Sequence, residues 1–287
     1  MAEELDFPAE YALQLEPHLP PRKHAQPTPH LPAEPLARAD QLPFVTLTFA
    51  TSLDSALSLA PGTRTTLSGP QSKAMTHFLR SRHDAICVGV GTAMADDPGL
   101  NCRLGTSLRP GGHQPRPIVI DPQARWNFSD ESKVLRLASE GYGMAPFIVT
   151  SRRDPPREKA ELLARHGGKY IFVGSKTGTD DAAEGGRANM SWKDVLGAVK
   201  REGLESIMIE GGGQVINSLL GEKGTELIDS VIVTIAPTWL GQGGVVVSPA
   251  RRHDKDGNPV AAVRLAGVSW HPLGEDVVLC GKILRSQ

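Results

Sequence analysis

Residues 205–220 read ESIMIEGGGQVINSLL and decide the fold, because glycines join a strand pattern to a helix pattern there. The apolar run from Ile207 to Ile209 predicts a short buried strand, which ends in Glu210 and is followed at once by three glycines. Apolar residues then recur at helical spacing: Val215, Ile216, Leu219 and Leu220. The stretch therefore predicts a strand, a glycine turn and a helix.

The glycine turn is a candidate phosphate-binding site. The first N–H groups of a helix lack partners within it and carry partial positive charge, and glycines have no Cβ to keep an anion away. The spacing is neither the G-x-G-x-x-G of a Rossmann fold nor that of a P-loop. A tight turn without a ligand is the alternative, but three successive glycines cost backbone entropy on folding, which favours the phosphate interpretation.

The overall charge of the chain is nearly balanced. Its 287 residues include 31 Lys and Arg against 32 Asp and Glu, a net charge of -1. Proteins that bind nucleic acid or a membrane surface need a marked cationic excess, so we expect neither partner. No apolar run approaches the roughly 20 residues that a membrane span requires.

The cysteines and the first residues bear on the compartment. The three cysteines, Cys87, Cys102 and Cys280, are far apart, and no pair has metal-ligand spacing, so no metal site is predicted. Cys87 lies in an apolar run, which predicts a buried thiol. The opening MAEELDFPAEYALQ is acidic and lacks the apolar core of a secretory signal. We therefore expect a reducing compartment, most simply the cytosol.

The composition divides the chain into two parts. Residues 1–41 are rich in proline and have little apolar periodicity, which predicts an extension that cannot order itself, either free or docked on the body. A PxxP-type partner motif is an alternative to an inert extension. Residues 42–287 form the second part, which we predict to be one folded domain.

Strand and helix patterns alternate over the second part. Strands are predicted at 43–50, 85–90, 117–121, 146–150, 169–174, 229–236, 261–265 and 276–284. Helices are predicted at 71–82, 158–165 and 192–199, and a loop at 175–190. This alternation, ending in a run of strands, predicts a single α/β domain with a mixed, mostly parallel central sheet flanked by helices.

Polar residues follow several predicted strands, at the edge where open α/β sheets bind ligands. The segment 91–103 combines Thr92, two aspartates and Arg103. Asp54 follows the strand 43–50 and either orients a substrate or carries a proton, or is an ordinary turn aspartate. Two arginines, 152 and 153, follow another strand and are candidates for the 2′-phosphate of NADP, although exposed arginines are common.

Three motifs in order resemble the reductases of riboflavin biosynthesis, the fungal and archaeal type above all: PFVTLTFATSLD (43–54), MTHFLRSRHDAICVGVGTAMADDPGLNCR (75–103) and IMIEGGGQVINSLL (207–220). The resemblance runs from about residue 43 to the C-terminus. It implies a dihydrofolate-reductase-like fold, NADPH as cofactor, a phosphorylated pyrimidine as substrate and a homodimer. Bacterial relatives also carry a zinc deaminase domain with H-x-E and P-C-x-x-C motifs. Those motifs are absent here, which favours reduction before deamination.

The resemblance also assigns residues by position. Cofactor contacts fall on Thr92, Asp96, Val173, Gly211, Gly212, Gly213, Gln214, Val215 and Asn217. Substrate contacts fall on Arg80, Leu100, Arg103 and Glu210. Arginine forks suit a ribose phosphate, and a carboxylate suits an amine-bearing pyrimidine. One departure is SLDS, where bacterial relatives usually have SLDG, so substrate contacts near Asp54 are open.

The implied reaction reduces a ribosylamino side chain to its ribitylamino form, with hydride transferred from nicotinamide to the sugar C1′. Glu210 and Asp54 are the candidate proton donors, with a bound water as the alternative. Two other functions stay open. One is a reductase with a different substrate, either the deaminated uracil or dihydrofolate, and the other is a catalytically silent nucleotide-binding protein.

Overall fold

The computed structural model describes residues 4–22, 42–105, 107, 112–174, 190–221, 224–254 and 256–284. Its strands are β1 (Phe44–Thr51), β2 (Ala56–Ser58), β3 (Ala85–Gly89), β4 (Arg116–Ile120), β5 (Phe147–Thr150), β6 (Lys169–Phe172), β7 (Ser206–Gly211), β8 (Ser230–Ile235), β9 (Val245–Val246), β10 (Leu265–Leu273) and β11 (Asp276–Ile283). Its helices are α1 (Ala9–Leu15), α2 (Pro70–Arg82), α3 (Val90–Asp96), α4 (Lys133–Ser139), α5 (Arg157–Arg165), α6 (Trp192–Arg201) and α7 (Gly213–Leu219).

Nine strands form one sheet in the order β10-β11-β8-β1-β7-β3-β4-β5-β6, while β2 and β9 pair separately. The strands from β8 to β6 are parallel, and β11 and β10 add antiparallel pairs at one edge. The parallel strands therefore end at a common edge, where the polar strand exits meet. This confirms the predicted α/β architecture with a mixed, mostly parallel central sheet.

Side chains alternate between two apolar layers, one on each face of the sheet. In β3, Ile86 and Val88 pack with α2, α4 and α5, whereas Ala85 and Cys87 pack with α6 and α7. This alternation is what a strand with both faces covered requires. The predicted burial of Cys87 is confirmed, since its side chain has no exposed surface and burial raises the pKa of its thiol.

Most of the predicted elements are confirmed to within a few residues, but one strand is wrong, and α1, α3, α4, β2 and β9 were not predicted. The strand predicted at 261–265 is wrong, because the strand begins at Leu265 and continues to Leu273. A helix, α3, occupies the start of the segment that was read as a polar strand exit, and α4 was not predicted. The predicted loop at 175–190 lies outside the described residues except for Met190.

Residues 4–22, from the proline-rich segment, lie on the body of the domain. Leu15 and Leu19 are buried in the layer that contains α2, and Phe7 stacks on Phe78 with ring centroids 5.1 Å apart. Glu16 forms an ion pair with Arg82. Apolar anchors separated by polar residues therefore order a segment whose composition does not suggest a core of its own.

The buried His83 makes folding sensitive to acid. Desolvation lowers the pKa of His83 to about 4, and its ring nitrogens lie 2.8 Å from Thr46 Oγ1 and 2.7 Å from the Leu79 carbonyl oxygen. The unfolded chain binds a proton near pH 6.5, so His83 by itself should lower stability as the pH drops from about 6.5 to about 4, by about 2 kcal/mol at pH 5. His18 and His77, whose pKa values burial also lowers, should add to this fall. Chemical denaturation over this range should show that slope.

The matched test compares how steeply the free energy of unfolding depends on pH in each variant, rather than the free energies themselves. His83→Gln should flatten the dependence of unfolding free energy on pH, whereas His253→Gln, at an exposed position, should leave it unchanged. Equal slopes for His83→Gln and the wild type would show that this histidine does not couple protonation to folding.

Candidate active site

The glycine turn lies at the carboxyl end of β7, in the middle of the parallel strands. Gly211 has φ 104° and Gly212 has φ 59° and ψ 155°, conformations that only glycine adopts readily. Gly212 is the N-cap of α7, and the first bond within the helix runs from the Ile216 N–H to the Gly212 carbonyl oxygen. The N–H groups of residues 213–215 precede that bond and have no acceptor within the helix.

The turn contacts the second predicted cofactor motif. A Cβ on Gly212 would lie 2.6 Å from the Thr92 Oγ1, so the backbone of one motif approaches the side chain of the other. Thr92 is in the first turn of α3, which begins directly after β3, the neighbour of β7. The structure thus brings together Thr92 and the glycine turn, as their assignment to one cofactor site requires.

Two side chains assigned to the cofactor, those of Val215 and Asn217, support the turn instead. Val215 packs in the core, where a Cβ on Gly89 would lie 2.9 Å from its Cγ2. The Asn217 amide donates to the Val246 carbonyl at 2.9 Å and accepts from the Ser248 N–H at 2.8 Å. Gly213 lies so close to β9 that a Cβ would be 2.3 Å from Val245 Cγ1. Val215 and Asn217 therefore hold the turn, and Val215 offers a ligand only its backbone.

The other assigned cofactor positions are farther from the turn. Gln214 is exposed, and Asp96 is half-buried at the end of α3. Val173 is buried just after β6, four strands from β7, which corresponds to roughly 19 Å across the sheet. A single ligand that touches both Val173 and the glycine turn must therefore be long.

Two residues assigned to the substrate bind each other. The Arg80 Nε donates to Glu210 Oε1 at 3.0 Å and one Nη to Oε2 at 2.9 Å, while the other Nη donates to the Asn101 carbonyl at 3.0 Å. Both side chains are mostly buried. A guanidinium has five N–H donors, so two remain after these three bonds. Because Glu210 directly precedes Gly211, this pair adjoins the glycine turn.

Arg103, also assigned to the substrate, lies on the ring of His77. Its Nε is 3.2 Å and one Nη is 3.1 Å from His77 Nε2, and its backbone N is 3.0 Å from Nδ1. His77 is 4% exposed. Desolvation, with the nearby cations Arg80, Arg103 and Lys73, lowers its pKa to about 2, so the ring is neutral.

Leu100 is held in an unusual conformation. Its φ of 51° is left-handed, which costs a non-glycine residue on the order of 1 kcal/mol, and its side chain is buried in the core. The side chain therefore serves packing, and the backbone is the part of Leu100 that can face a substrate.

Asp54 holds a loop. It accepts hydrogen bonds from Ser52 Oγ at 2.5 Å, from the Leu240 N–H at 3.1 Å and from the Gly241 N–H at 2.8 Å. The Ser52 bond, followed by the two backbone bonds, lowers the pKa of Asp54 to about 2. A carboxylate that is ionised at neutral pH has no proton to give, so these contacts do not support Asp54 as the proton donor. They make it the anchor of the loop at 240–241.

Sequence reasoning missed the residues that organise the site. His77 lies on the same face of α2 as Arg80, one turn earlier, and that spacing was the available signal. Asn101 was missed because its carbonyl oxygen, not its side chain, binds Arg80. Within the described ranges no group of His, Cys, Asp and Glu is arranged to hold a metal ion, and none of the helices is long and apolar enough to cross a bilayer.

Comparison with known proteins identifies relatives over most of the chain. The RibD C-terminal domain family matches residues 43–279. The 2,5-diamino-6-ribosylamino-4(3H)-pyrimidinone 5′-phosphate reductase of Eremothecium gossypii is 40% identical over 261 residues, 89% of this chain and 94% of that protein. The reductase of the same name from Saccharomyces cerevisiae is 38% identical over 243 residues, 84% of this chain and 87% of that protein.

Solved structures agree with the sequence relatives. A structure of the Saccharomyces cerevisiae riboflavin biosynthesis reductase superposes with a TM-score of 0.69 at 32% identity, covering 96% of this chain and 100% of that chain. Acinetobacter baumannii RibD superposes with a TM-score of 0.64 at 22% identity and covers 85% of this chain and 59% of that chain, which shows a shared fold.

Proposed function

The chain belongs to the RibD C-terminal domain family, and from that premise we propose that it is a reductase of riboflavin biosynthesis acting on 2,5-diamino-6-ribosylamino-4(3H)-pyrimidinone 5′-phosphate. The proposed reaction converts the ribosylamino side chain to the ribitylamino form with NADPH. The observation that carries the proposal is the junction of the glycine turn with Thr92 on one side and with the Arg80–Glu210 pair on the other.

NADPH would supply the hydride. The N–H groups of residues 213–215 and the Thr92 hydroxyl would bind its pyrophosphate, because the positive-φ glycines leave the backbone open to an anion. The adenosine end would extend along the carboxyl edge of the sheet toward Val173. Arg152 and Arg153, which follow β5 and are exposed, would meet the 2′-phosphate. NADPH is long enough to span the roughly 19 Å that separates Val173 from the turn.

The substrate would lie over the Arg80–Glu210 pair. Two N–H groups of Arg80 remain for substrate oxygens, and Arg103 supplies a second guanidinium for the ribose phosphate. Glu210, fixed by two bonds to Arg80, would accept a hydrogen bond from a pyrimidine amine. We assign the proton delivered on ring opening to bound water, because Glu210 is held as the carboxylate of an ion pair and Asp54 is ionised.

The proposed function is tested by a turnover assay. Purified protein should oxidise NADPH when given the diaminopyrimidinone ribosylamine phosphate, and should do so faster than with the deaminated uracil or with dihydrofolate. NADH should support slower turnover, because it lacks the 2′-phosphate that Arg152 and Arg153 would bind. The ribitylamino product should be identified by mass spectrometry.

Each other outcome rejects a part of the proposal. Faster turnover of the uracil compound would reverse the order of reduction and deamination. NADPH binding without turnover of any pyrimidine would indicate a silent nucleotide-binding protein.

We also propose a homodimer in the cytoplasm. A monomer in sedimentation velocity at working concentration would contradict the dimer.

A further inference from the structure

We infer that His77 is a positioning residue that sets Arg103 for the phosphate of the substrate. This inference rests on the proposed function, since it deepens the role of Arg103 at that same site. His77 itself need not touch the substrate, because it acts through the arginine that it holds.

His77 binds Arg103 in either tautomer of its neutral ring. A neutral imidazole has one acceptor nitrogen and one N–H. If Nε2 is the acceptor, the donor is the Arg103 guanidinium at 3.1–3.2 Å, and if Nδ1 is the acceptor, the donor is the Arg103 N–H at 3.0 Å. The ring thus fixes either the side chain or the backbone of Arg103.

Helix α2 also binds the whole segment around Arg103. The His77 carbonyl oxygen accepts from Cys102 Sγ at 3.1 Å, and Arg80, one turn later, donates to the Asn101 carbonyl at 3.0 Å. Three consecutive residues, 101–103, are therefore tied to one face of one helix. Because the same helix carries Arg80, the spacing between the two guanidinium groups depends on these contacts.

The neutral charge of the His77 ring also suits this role. A carboxylate in the place of His77 would neutralise the guanidinium that it held, whereas a neutral ring accepts its hydrogen bond without cancelling the positive charge. Desolvation and the surrounding cations disfavour protonation of His77, so the contact stays one between a guanidinium and a neutral ring. His77 therefore does not itself reduce the attraction of Arg103 for a phosphate dianion.

The test compares two substitutions at His77. His77→Leu removes every side-chain acceptor at similar volume and should raise KM for the phosphorylated pyrimidine roughly 10-fold, with kcat and the Kd for NADPH within about two-fold of wild type. His77→Gln restores one carbonyl acceptor and should recover part of the loss. His83→Gln, which alters another buried histidine next to α2, should lower stability without changing KM.

A binding measurement separates this inference from the proposed reaction. Calorimetry with ribose 5-phosphate as the probe should show weaker binding to His77→Leu than to the wild-type protein, whether or not a pyrimidine is turned over. If the wild type turned over no pyrimidine, the proposed reaction would fail while this comparison still decided the role of His77. A folded His77→Leu variant with wild-type KM and wild-type affinity for ribose 5-phosphate would overturn the inference.

Discussion

Gly212→Ala should weaken NADPH binding by roughly 100-fold while leaving a folded protein. Gly212 has φ 59° and ψ 155°, a region that is essentially restricted to glycine, so alanine should cost about 1–3 kcal/mol of backbone strain. The added Cβ would also lie 2.6 Å from the Thr92 Oγ1. Relieving the backbone strain or the contact with Thr92 should move the N–H groups of α7. The loss of two hydrogen bonds to phosphate then accounts for the roughly 100-fold loss of NADPH affinity.

The control for Gly212 is Gly203→Ala. Gly203 also has a positive φ, 77°, but a Cβ there would meet no atom within 4 Å. This variant should lose about 1 kcal/mol of stability and bind NADPH like the wild type. Isothermal titration calorimetry and thermal unfolding measure the two effects separately. If Gly212→Ala kept wild-type affinity, the pyrophosphate would bind somewhere other than the glycine turn.

Arg80→Leu should reduce kcat/KM for the pyrimidine roughly 1,000-fold. The substitution removes two donors proposed for the substrate and leaves the Glu210 carboxylate without its bidentate partner. Charge-assisted hydrogen bonds contribute about 1.5–3 kcal/mol each, so the loss of two corresponds to about 4 kcal/mol in transition-state stabilisation. Affinity for NADPH should change far less, since Arg80 contacts the acid and not the turn.

Arg82→Leu is the matched control on the same helix. Arg82 pairs with Glu16 of the N-terminal segment, on the side of α2 that packs against that segment. Its loss should lower stability without reducing kcat/KM, and steady-state kinetics with a denaturation curve distinguish the two effects. Equal losses of kcat/KM in both variants would mean that Arg80 acts through folding and not through the substrate.

Glu210→Gln should weaken substrate binding less than Arg80→Leu, because an amide keeps one acceptor oxygen for Arg80.

The sequence predicted the centre of the sheet well for a physical reason. Strands such as Ala85–Gly89 and Ser206–Gly211 are buried on both faces, so their apolar runs are unbroken and end abruptly at polar residues or glycine. The partly exposed β10 carries a weaker signal, since Val268 and Trp270 face solvent, and its position was predicted wrongly. A strand such as β10 lacks the unbroken apolar run that burial on both faces imposes.

The pairing of site residues could not be predicted in the same way. Glu210 and Arg80 are 130 positions apart, and only the insertion of β7 between β1 and β3 brings the acid to the end of α2. Asp54 was a candidate acid because of its place after β1, but its three hydrogen bonds depend on a loop near residue 240. Residue type and strand position indicated where a site lies, while the tertiary contacts determine what each side chain does.

A structure of the full chain with bound NADPH tests the central claim most directly. We expect the pyrophosphate within hydrogen-bonding distance of the N–H groups of residues 213–215 and of the Thr92 hydroxyl, with the nicotinamide facing the Arg80–Glu210 pair. Pyrophosphate density at any other part of the protein, or no density at saturating NADPH, would contradict the account.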